Sequence, residues 1–378
     1  MRATRLLNEG VDQLRERLPS AWSISFSASV TPLTDYGVDA LLTITANNQR
    51  SPALGVAVKT SVEPRNVPIL ADAQHLSEIP LLLIAPWISP RTRDRLDANQ
   101  ISYLDLTGNT HLQLSRPAVY VETTGATHNP NPPAHREVSL RGAAAGRLTR
   151  LLVDVTPPYT PSDVANGLAP SEEAADVIAQ HSGVSLPHVS RLLTQLDREA
   201  LVDRGPRGRV TDVDWPALLR LRAESYDLFT THTVHGYIAP QGARTALRHL
   251  AATTDPTYRA ITGTFAAATI HQPTAAPTQL IAYVDDPTHT AATLDLLPAD
   301  ENADVLLLTD FDYATVDRIE LHDGLKTVAT SQIALDCLSG NGRLPAEGEA
   351  LIEWMTPREH LWRRRDLTGL GLRAQVYP

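Results

Sequence analysis

Cysteine is nearly absent from this chain of 378 residues, Cys337 being the only one. A single thiol excludes an intramolecular disulfide framework and a cysteine-based zinc site, and it fits a reducing compartment. Lysine is almost as scarce: Lys59 and Lys326 are the only lysines among the 33 basic residues. GC-rich coding produces that bias as readily as any function does. No apolar run reaches the roughly 20 residues needed to span a bilayer, and the longest, around residues 80–86, is strand-sized. The first eight residues are polar and basic with no apolar stretch behind them, so no secretory signal is expected. The expectation is a soluble, cytoplasmic protein without a membrane contact.

What is present is length and an uneven charge. At roughly 100 to 200 residues per domain, the chain predicts two or three domains, each with its own core. The net charge of -10 argues against a protein coated in nucleic acid, yet seven of those ten charges lie beyond residue 235.

Leu6, Leu7, Val11, Leu14 and Leu18 recur at the three-and-four spacing of one buried face and predict a helix over 2–18. Strands are expected at 22–30, 38–46 and 53–58, the last two joined by a polar connection over 47–52. A short helix over 69–76, an apolar strand at 81–85, a helix over 90–99 and a strand at 102–106 follow. Ser89 before Pro90 supplies an N-cap and a first-turn proline for the second of these helices. Prolines among residues 127–133 mark a linker. An amphipathic helix over 143–153 ends at Thr156-Pro157-Pro158. The last third alternates: a helix over 243–252, a mixed run over 258–270, a strand at 279–284, a helix over 291–297, a strand at 305–308 and a helix over 331–338. A polar tail from Pro357 carries Arg363, Arg364 and Arg365.

The most informative pattern lies between residues 170 and 202. Ser171-Glu172-Glu173 caps a first helix, Ser182-Gly183-Val184 turns the chain, and residues 185–200 form a second helix. Within it Val189, Leu192, Leu193 and Leu196 turn inward. His188, Arg191, Gln195 and Arg198 form a separate polar stripe, with Ser190 and Thr194 beside it. Such side chains reach base edges and phosphates in a major groove, and Ser185 is the expected N-cap and a phosphate contact. Residues 203–210 then read as a ribbon turning at Gly205-Pro206. Its Arg204, Arg207 and Arg209 are suited to the phosphate backbone or a minor groove. Helix, turn, helix and basic ribbon is the order of a winged helix-turn-helix; a packed helical hairpin with solvated arginines is the alternative.

In the first domain Asp39 opens one strand and Ala57-Val58-Lys59 ends the next, an order found in metal-dependent nucleases. Phosphodiester cleavage needs at least two carboxylates to hold magnesium and a lysine to steer water. In the PD-(D/E)xK pattern the second carboxylate stands two residues before the lysine, where this chain has Ala57. A nuclease-shaped scaffold that does not cut is the expectation. The alternative, a metal-dependent DNA nuclease aimed by the winged helix, has Asp39 and Lys59 as its catalytic residues, with Glu9, Glu16 or Glu63 replacing the missing acid. His75, His111 and His135 lack ligand spacing, and no metal or cofactor is expected. Thr262-Gly263-Thr264 ahead of Asp285 and Asp286 has the parts of a nucleotidyltransferase site. Adjacent strand residues face opposite ways, however, so a turn after a buried strand is the preferred reading.

Three sets of residues go together: Ile84-Ala85-Pro86-Trp87-Ile88-Ser89-Pro90 with Tyr103-Leu104-Asp105-Leu106-Thr107-Gly108-Asn109; the winged helix with Asp212-Val213-Asp214-Trp215 behind it; and Thr262-Gly263-Thr264-Phe265 with Ser331-Gln332-Ile333-Ala334-Leu335-Asp336. On these the chain resembles the AbiEi-family antitoxins and related transcriptional regulators of bacterial type IV toxin-antitoxin systems. The resemblance implies sequence-specific binding of double-stranded DNA at the operon's own promoter. It also implies a C-terminal domain that acts against a nucleotidyltransferase-like toxin without necessarily touching it. The long first domain departs from simpler members, and a stand-alone regulator with no toxin is the companion reading. The expected architecture is a multi-domain α/β chain. It comprises a degenerate restriction-endonuclease-like domain over 1–126, a linker over 127–140, a winged helix-turn-helix over 141–235 and a nucleotidyltransferase-like, antitoxin-like α/β domain over 236–378. A partner protein on the acidic last third and a homodimer are the further partners considered.

Overall fold

The computed structural model describes residues 2–28, 37–46, 48–131, 140–167, 185–312, 315–316, 318–322 and 324–365. The chain divides into two units, residues 1–137 with 197–200, and residues 138–196 with 201–378, and both are α/β.

In the first unit α1 (Arg2–Arg17) leads into β1 (Ser23–Ala28), β2 (Ala40–Ala46), β3 (Gln49–Arg50) and β4 (Leu54–Val58). Then come α2 (Val67–Ser77), β5 (Leu81–Ala85), α3 (Pro90–Ala98), β6 (Ser102–Asp105), β7 (Thr110–Ser115) and β8 (Ala118–Thr123). The sheet runs β1-β2-β4-β5-β6-β7-β8, with β3 paired to β2. Only β4, β5 and β6 run parallel, because helices cross between them. Alternation splits these strands between two cores. Val56, Val58, Leu82 and Ile84 pack with Leu6, Val11, Leu14 and Leu18 of α1. Ala57, Leu81, Leu83 and Ala85 pack with Val67, Leu70, Ala73 and Leu96 on the opposite face. Gly10 explains a residue that otherwise weakens a helix: a Cβ there would stand 2.7 Å from Ile84 Cγ2, so only glycine lets α1 sit down on β5. Ser89 Oγ accepts from the Thr92 N–H at 3.1 Å and starts α3 as its sequence requires. The β7–β8 hairpin has no counterpart in the sequence reading; its half-exposed pattern carries a weak apolar signal.

The second unit begins with α4 (Ala143–Asp154), α5 (Pro161–Gly167), α6 (Leu186–Arg198), the ribbon β9 (Val202–Arg204) and β10 (Val210–Val213), α7 (Trp215–Ala223) and α8 (Leu228–Thr231). It continues through β11 (Thr233–Ile238), α9 (Ala243–Ala252), β12 (Tyr258–Thr262), α10 (Gly263–Ala267), β13 (Leu280–Val284), α11 (Pro287–Thr293), β14 (Leu297–Pro298) and β15 (Val305–Thr309). The last elements are β16 (Glu320–His322), β17 (Leu325–Thr327), α12 (Thr330–Leu338), α13 (Leu344–Met355) and α14 (Glu359–Trp362). The sheet order is β14-β11-β15-β13-β12-β17-β16, with parallel pairs only at β13–β15 and β12–β17.

One hydrophobic cluster runs from Leu140 to Trp362. It holds Leu148 of α4, Val189 and Leu193 of α6, Val202 and Val210 of the ribbon, and the sheet together. Two sequence expectations are corrected here. The helix expected over 291–297 instead spans Pro287–Thr293, because Asp286 accepts from the His289 N–H at 3.0 Å and Pro287 opens the first turn. Leu297 lies in β14, paired with Ile238. The tail expected as merely polar contains α14, and Trp362 is buried.

Candidate nucleic-acid interface

The expected first helix and turn of the helix-turn-helix fall on residues 168–184, which lie outside the described residues. The expected second helix is α6. Its Val189, Leu192, Leu193 and Leu196 are buried, and the Ser185 carbonyl accepts from the N–H groups of His188 at 2.9 Å and Val189 at 3.0 Å. That places Ser185 at the N-cap position. Ser185 and Arg191 are exposed, while His188, Ser190, Thr194, Gln195 and Arg198 are half-buried on the outer side. Sequence reasoning passed over Leu186, which is 44% exposed in the first turn. Spacing gives no signal for that exposure, since Leu186 stands three and seven residues before the buried Val189 and Leu193.

The ribbon follows directly. Val202 pairs with Val213, Asp203 with Asp212 and Arg204 with Val210, and Tyr159 adds an isolated bridge by exchanging backbone hydrogen bonds with Val210 at 3.3 and 2.9 Å. At the tip, the Gly205 N–H donates to the Arg209 carbonyl at 2.8 Å. Arg207 and Gly208 both adopt left-handed backbone, with φ of 60° and 74°. Arg207 and Arg209 are exposed there. Arg204 has a different place: its Nη1 donates to Thr194 Oγ1 at 2.8 Å and its Nε to the Gly208 carbonyl at 3.3 Å. Thr194 in turn donates to the Ser190 carbonyl at 2.8 Å. Arg204 and Thr194 therefore tie the ribbon to α6. A Cβ on Gly208 would collide with that guanidinium.

The residues of the nuclease alternative hold backbone. Asp39 donates its N–H to the Val56 carbonyl at 2.8 Å, and its carboxylate accepts from the Val58 N–H at 2.7 Å, joining the ends of β2 and β4. Lys59 is half-buried, and Ala57 is buried on the α2 and α3 side of the sheet. Of the substitute acids, Glu9 pairs with Arg5 at 2.6 Å, Glu63 pairs with Arg65 at 2.9 Å, and Glu16 is exposed. Among the described residues, no group of three or more His, Cys, Asp or Glu is arranged to hold a metal. His75 is exposed, His111 lies 3.6 Å from Asp97, and His135 lies outside the described residues. Asp285 pairs with Arg259 while Asp286 caps α11, so the adjacent acids part.

In two of the three residue sets that carried the resemblance, the paired stretches meet at a buried aspartate, Asp105 in the first unit and Asp336 in the second. Asp105 accepts from the backbone N–H of Ile88 at 3.0 Å, of Thr107 at 2.9 Å and of Asn109 at 3.1 Å. Asp336, in α12, accepts from Thr262 at 2.6 Å, Tyr283 at 2.8 Å, Gln332 at 2.6 Å and Tyr226 at 2.9 Å. Burial pushes the Asp336 carboxyl up from the usual carboxylate range, and the hydrogen bonds from Thr262, Gln332 and Tyr283 pull against that rise. Gln332 also accepts from Arg150, which with Arg318 pairs to Asp154 of α4. A buried polar chain thus runs from α4 to the sheet. No helix among the described residues is long and apolar enough to cross a membrane. No protein family, curated protein or solved structure matches this chain.

Proposed function

We propose that this chain is a sequence-specific DNA-binding transcriptional regulator that enters the major groove with α6 and meets flanking phosphates with the β9–β10 ribbon. One observation carries the reading: α6 buries a continuous apolar face and turns Ser185, His188, Ser190, Arg191 and Gln195 outward, beside a ribbon tip bearing exposed Arg207 and Arg209. Hydrogen-bonding side chains on a rigid helix can read base edges, and cations on a ribbon fix position on the backbone. The order α4, the Tyr159 bridge, α5, α6 and ribbon supports a winged helix. Arg204 and Thr194 are positioning residues that set the ribbon against the helix, and Arg198 extends the outer row.

The AbiEi-type resemblance adds autoregulation at the protein's own promoter and an antitoxin-like last third. The order of helix, antiparallel meander, helix and parallel strand supports a nuclease-shaped first domain, in which Asp39 is structural. If the protein dimerises, a palindromic site with half-sites about one helical turn apart is expected.

Binding-site selection from genomic DNA at stated salt tests this directly. On the selected site Arg191→Ala is expected to lose far more affinity than on random DNA. Arg207→Ala should weaken both alike and lower the slope of log K against log salt by about one. Equal losses on both DNAs for both variants would overturn the assignment. Plasmid incubated with magnesium or manganese is expected to stay uncut; cutting that disappears in Asp39→Ala would put a nuclease in its place.

A further inference from the structure

We propose that one edge of the second unit's sheet, where Ile238 of β11 and Leu297 of β14 lie side by side within an acidic rim, docks a basic segment of a partner protein. The proposal is independent of the DNA-binding reading above. Ile238 and Leu297 stand directly opposite each other in register, so both side chains leave the same side of the sheet. They are 40% and 58% exposed, and β14 is the edge strand. Gly236, two residues before Ile238, lies on that side as well. A Cβ there would stand 2.5 Å from the Ala299 carbonyl oxygen and 3.2 Å from Ala303 Cβ, so the connection over 299–304 runs along the same side. That connection carries exposed Asp300 and Glu301, and exposed Asp295 stands two residues before Leu297.

The charge of the rim selects the partner. Between Arg259 and Arg318 the sequence has nine acids and no lysine or arginine. Five of those acids have structural tasks. Asp285 and Asp312 pair with Arg259 and Arg147, Asp286 caps α11, Asp304 accepts from the Ala239 N–H at 2.8 Å and Asp310 from the Thr233 hydroxyl at 2.6 Å. The side chains of Asp295, Asp300 and Glu301 have no such partner among the described residues. An apolar pair bordered by carboxylates repels phosphates and anionic lipid headgroups, and it suits an aliphatic side chain flanked by lysine or arginine. Pro298 offers no N–H to a strand laid along β14, so side chains rather than an added strand carry the contact.

The experiment uses the full chain and a fluorescein-labelled short peptide in which leucine alternates with arginine, followed by anisotropy at physiological ionic strength. Control peptides carry serine for each leucine or glutamate for each arginine. The leucine-arginine peptide is expected to bind, and both controls at least about tenfold more weakly. Leu297→Ser should lose about tenfold, the effect of leaving half a leucine side chain in water. Asp300→Asn combined with Glu301→Gln should weaken binding and flatten its salt dependence. No binding of the leucine-arginine peptide, equal binding of the glutamate control, or wild-type affinity in Leu297→Ser overturns the proposal. So does self-association in sedimentation that Leu297→Ser abolishes, which would make the occupant a second copy of this chain. Both variants are expected to bind the selected duplex as the wild type does; a loss there would place this edge in the DNA interface and overturn the proposal, whereas a wild type that binds no DNA overturns only the DNA-binding reading.

Discussion

Arg207 stands at the ribbon tip in left-handed backbone, one of nine such non-glycine positions among the described residues. A side chain other than glycine in left-handed backbone costs roughly 1–2 kcal/mol, and here it is an exposed arginine at φ 60°. Arg204, three residues earlier, shows the contrast, since its guanidinium holds the ribbon to Thr194. Two arginines that look alike in the sequence therefore take different parts. Arg207→Gly is expected to leave the fold equally stable or more stable by up to about 1 kcal/mol, because glycine accepts that backbone, and to weaken specific and random DNA binding together. Urea unfolding and binding titration on one preparation check both halves. A variant that lost stability along with binding would make Arg207 structural.

At the scale of elements, whatever rests on neighbours in the chain was readable. Ser89-Pro90 announces α3 because cap and first turn are local, and the apolar stripe of α6 announces its buried face. The ribbon was legible from its glycines, but the division of labour among its arginines was not, because it depends on where Thr194 falls on α6. Asp336 shows the same limit more strongly. Its donors Tyr226, Thr262 and Tyr283 come from 53 to 110 residues away, and no periodicity links them. The start of α11 is local as well, in Asp286-Pro287, whereas the alanines at 291 and 292 favour a helix but do not mark where it begins. Because all four neighbours donate to Asp336, Asp336→Asn would turn an amide N–H₂ toward donors, at a cost of about 1–3 kcal/mol. The variant should also lose a pH dependence. A carboxyl raised by folding contributes most below the usual range near about 4 and loses that contribution as pH rises toward its folded value. Unfolding free energy of the wild type should therefore fall across that acid window more than that of Asp336→Asn, measured by urea titration at several pH values. Parallel curves would count against a buried, raised Asp336.

At the scale of the whole molecule, the surface of the second unit that is proposed to face DNA depends on residues far from it in sequence. Arg363 donates from Nε to the Val153 carbonyl at 2.9 Å and from Nη2 to the Val155 carbonyl at 2.9 Å, so a residue near the end of the described chain satisfies the last turn of α4. Trp362 packs edge-on against Trp215 with ring centroids 4.8 Å apart, and the Trp215 indole donates to Glu359 at 2.6 Å. Trp215 follows the ribbon directly, and both tryptophans belong to the hydrophobic cluster that includes Val189 and Leu193 of α6. Removing Trp362 therefore loosens the scaffold of the interface without touching a group proposed to meet DNA. A buried tryptophan cut to alanine costs about 3–5 kcal/mol, which for a unit of this size lowers its melting temperature on the order of 10 °C. Trp362→Ala is thus expected to melt earlier by calorimetry, yet, at a temperature well below melting, to bind the selected site with wild-type affinity and an unchanged salt slope. The opposite pattern, a weaker Kd with melting unchanged, would move residues 359–364 from scaffold into the binding surface itself.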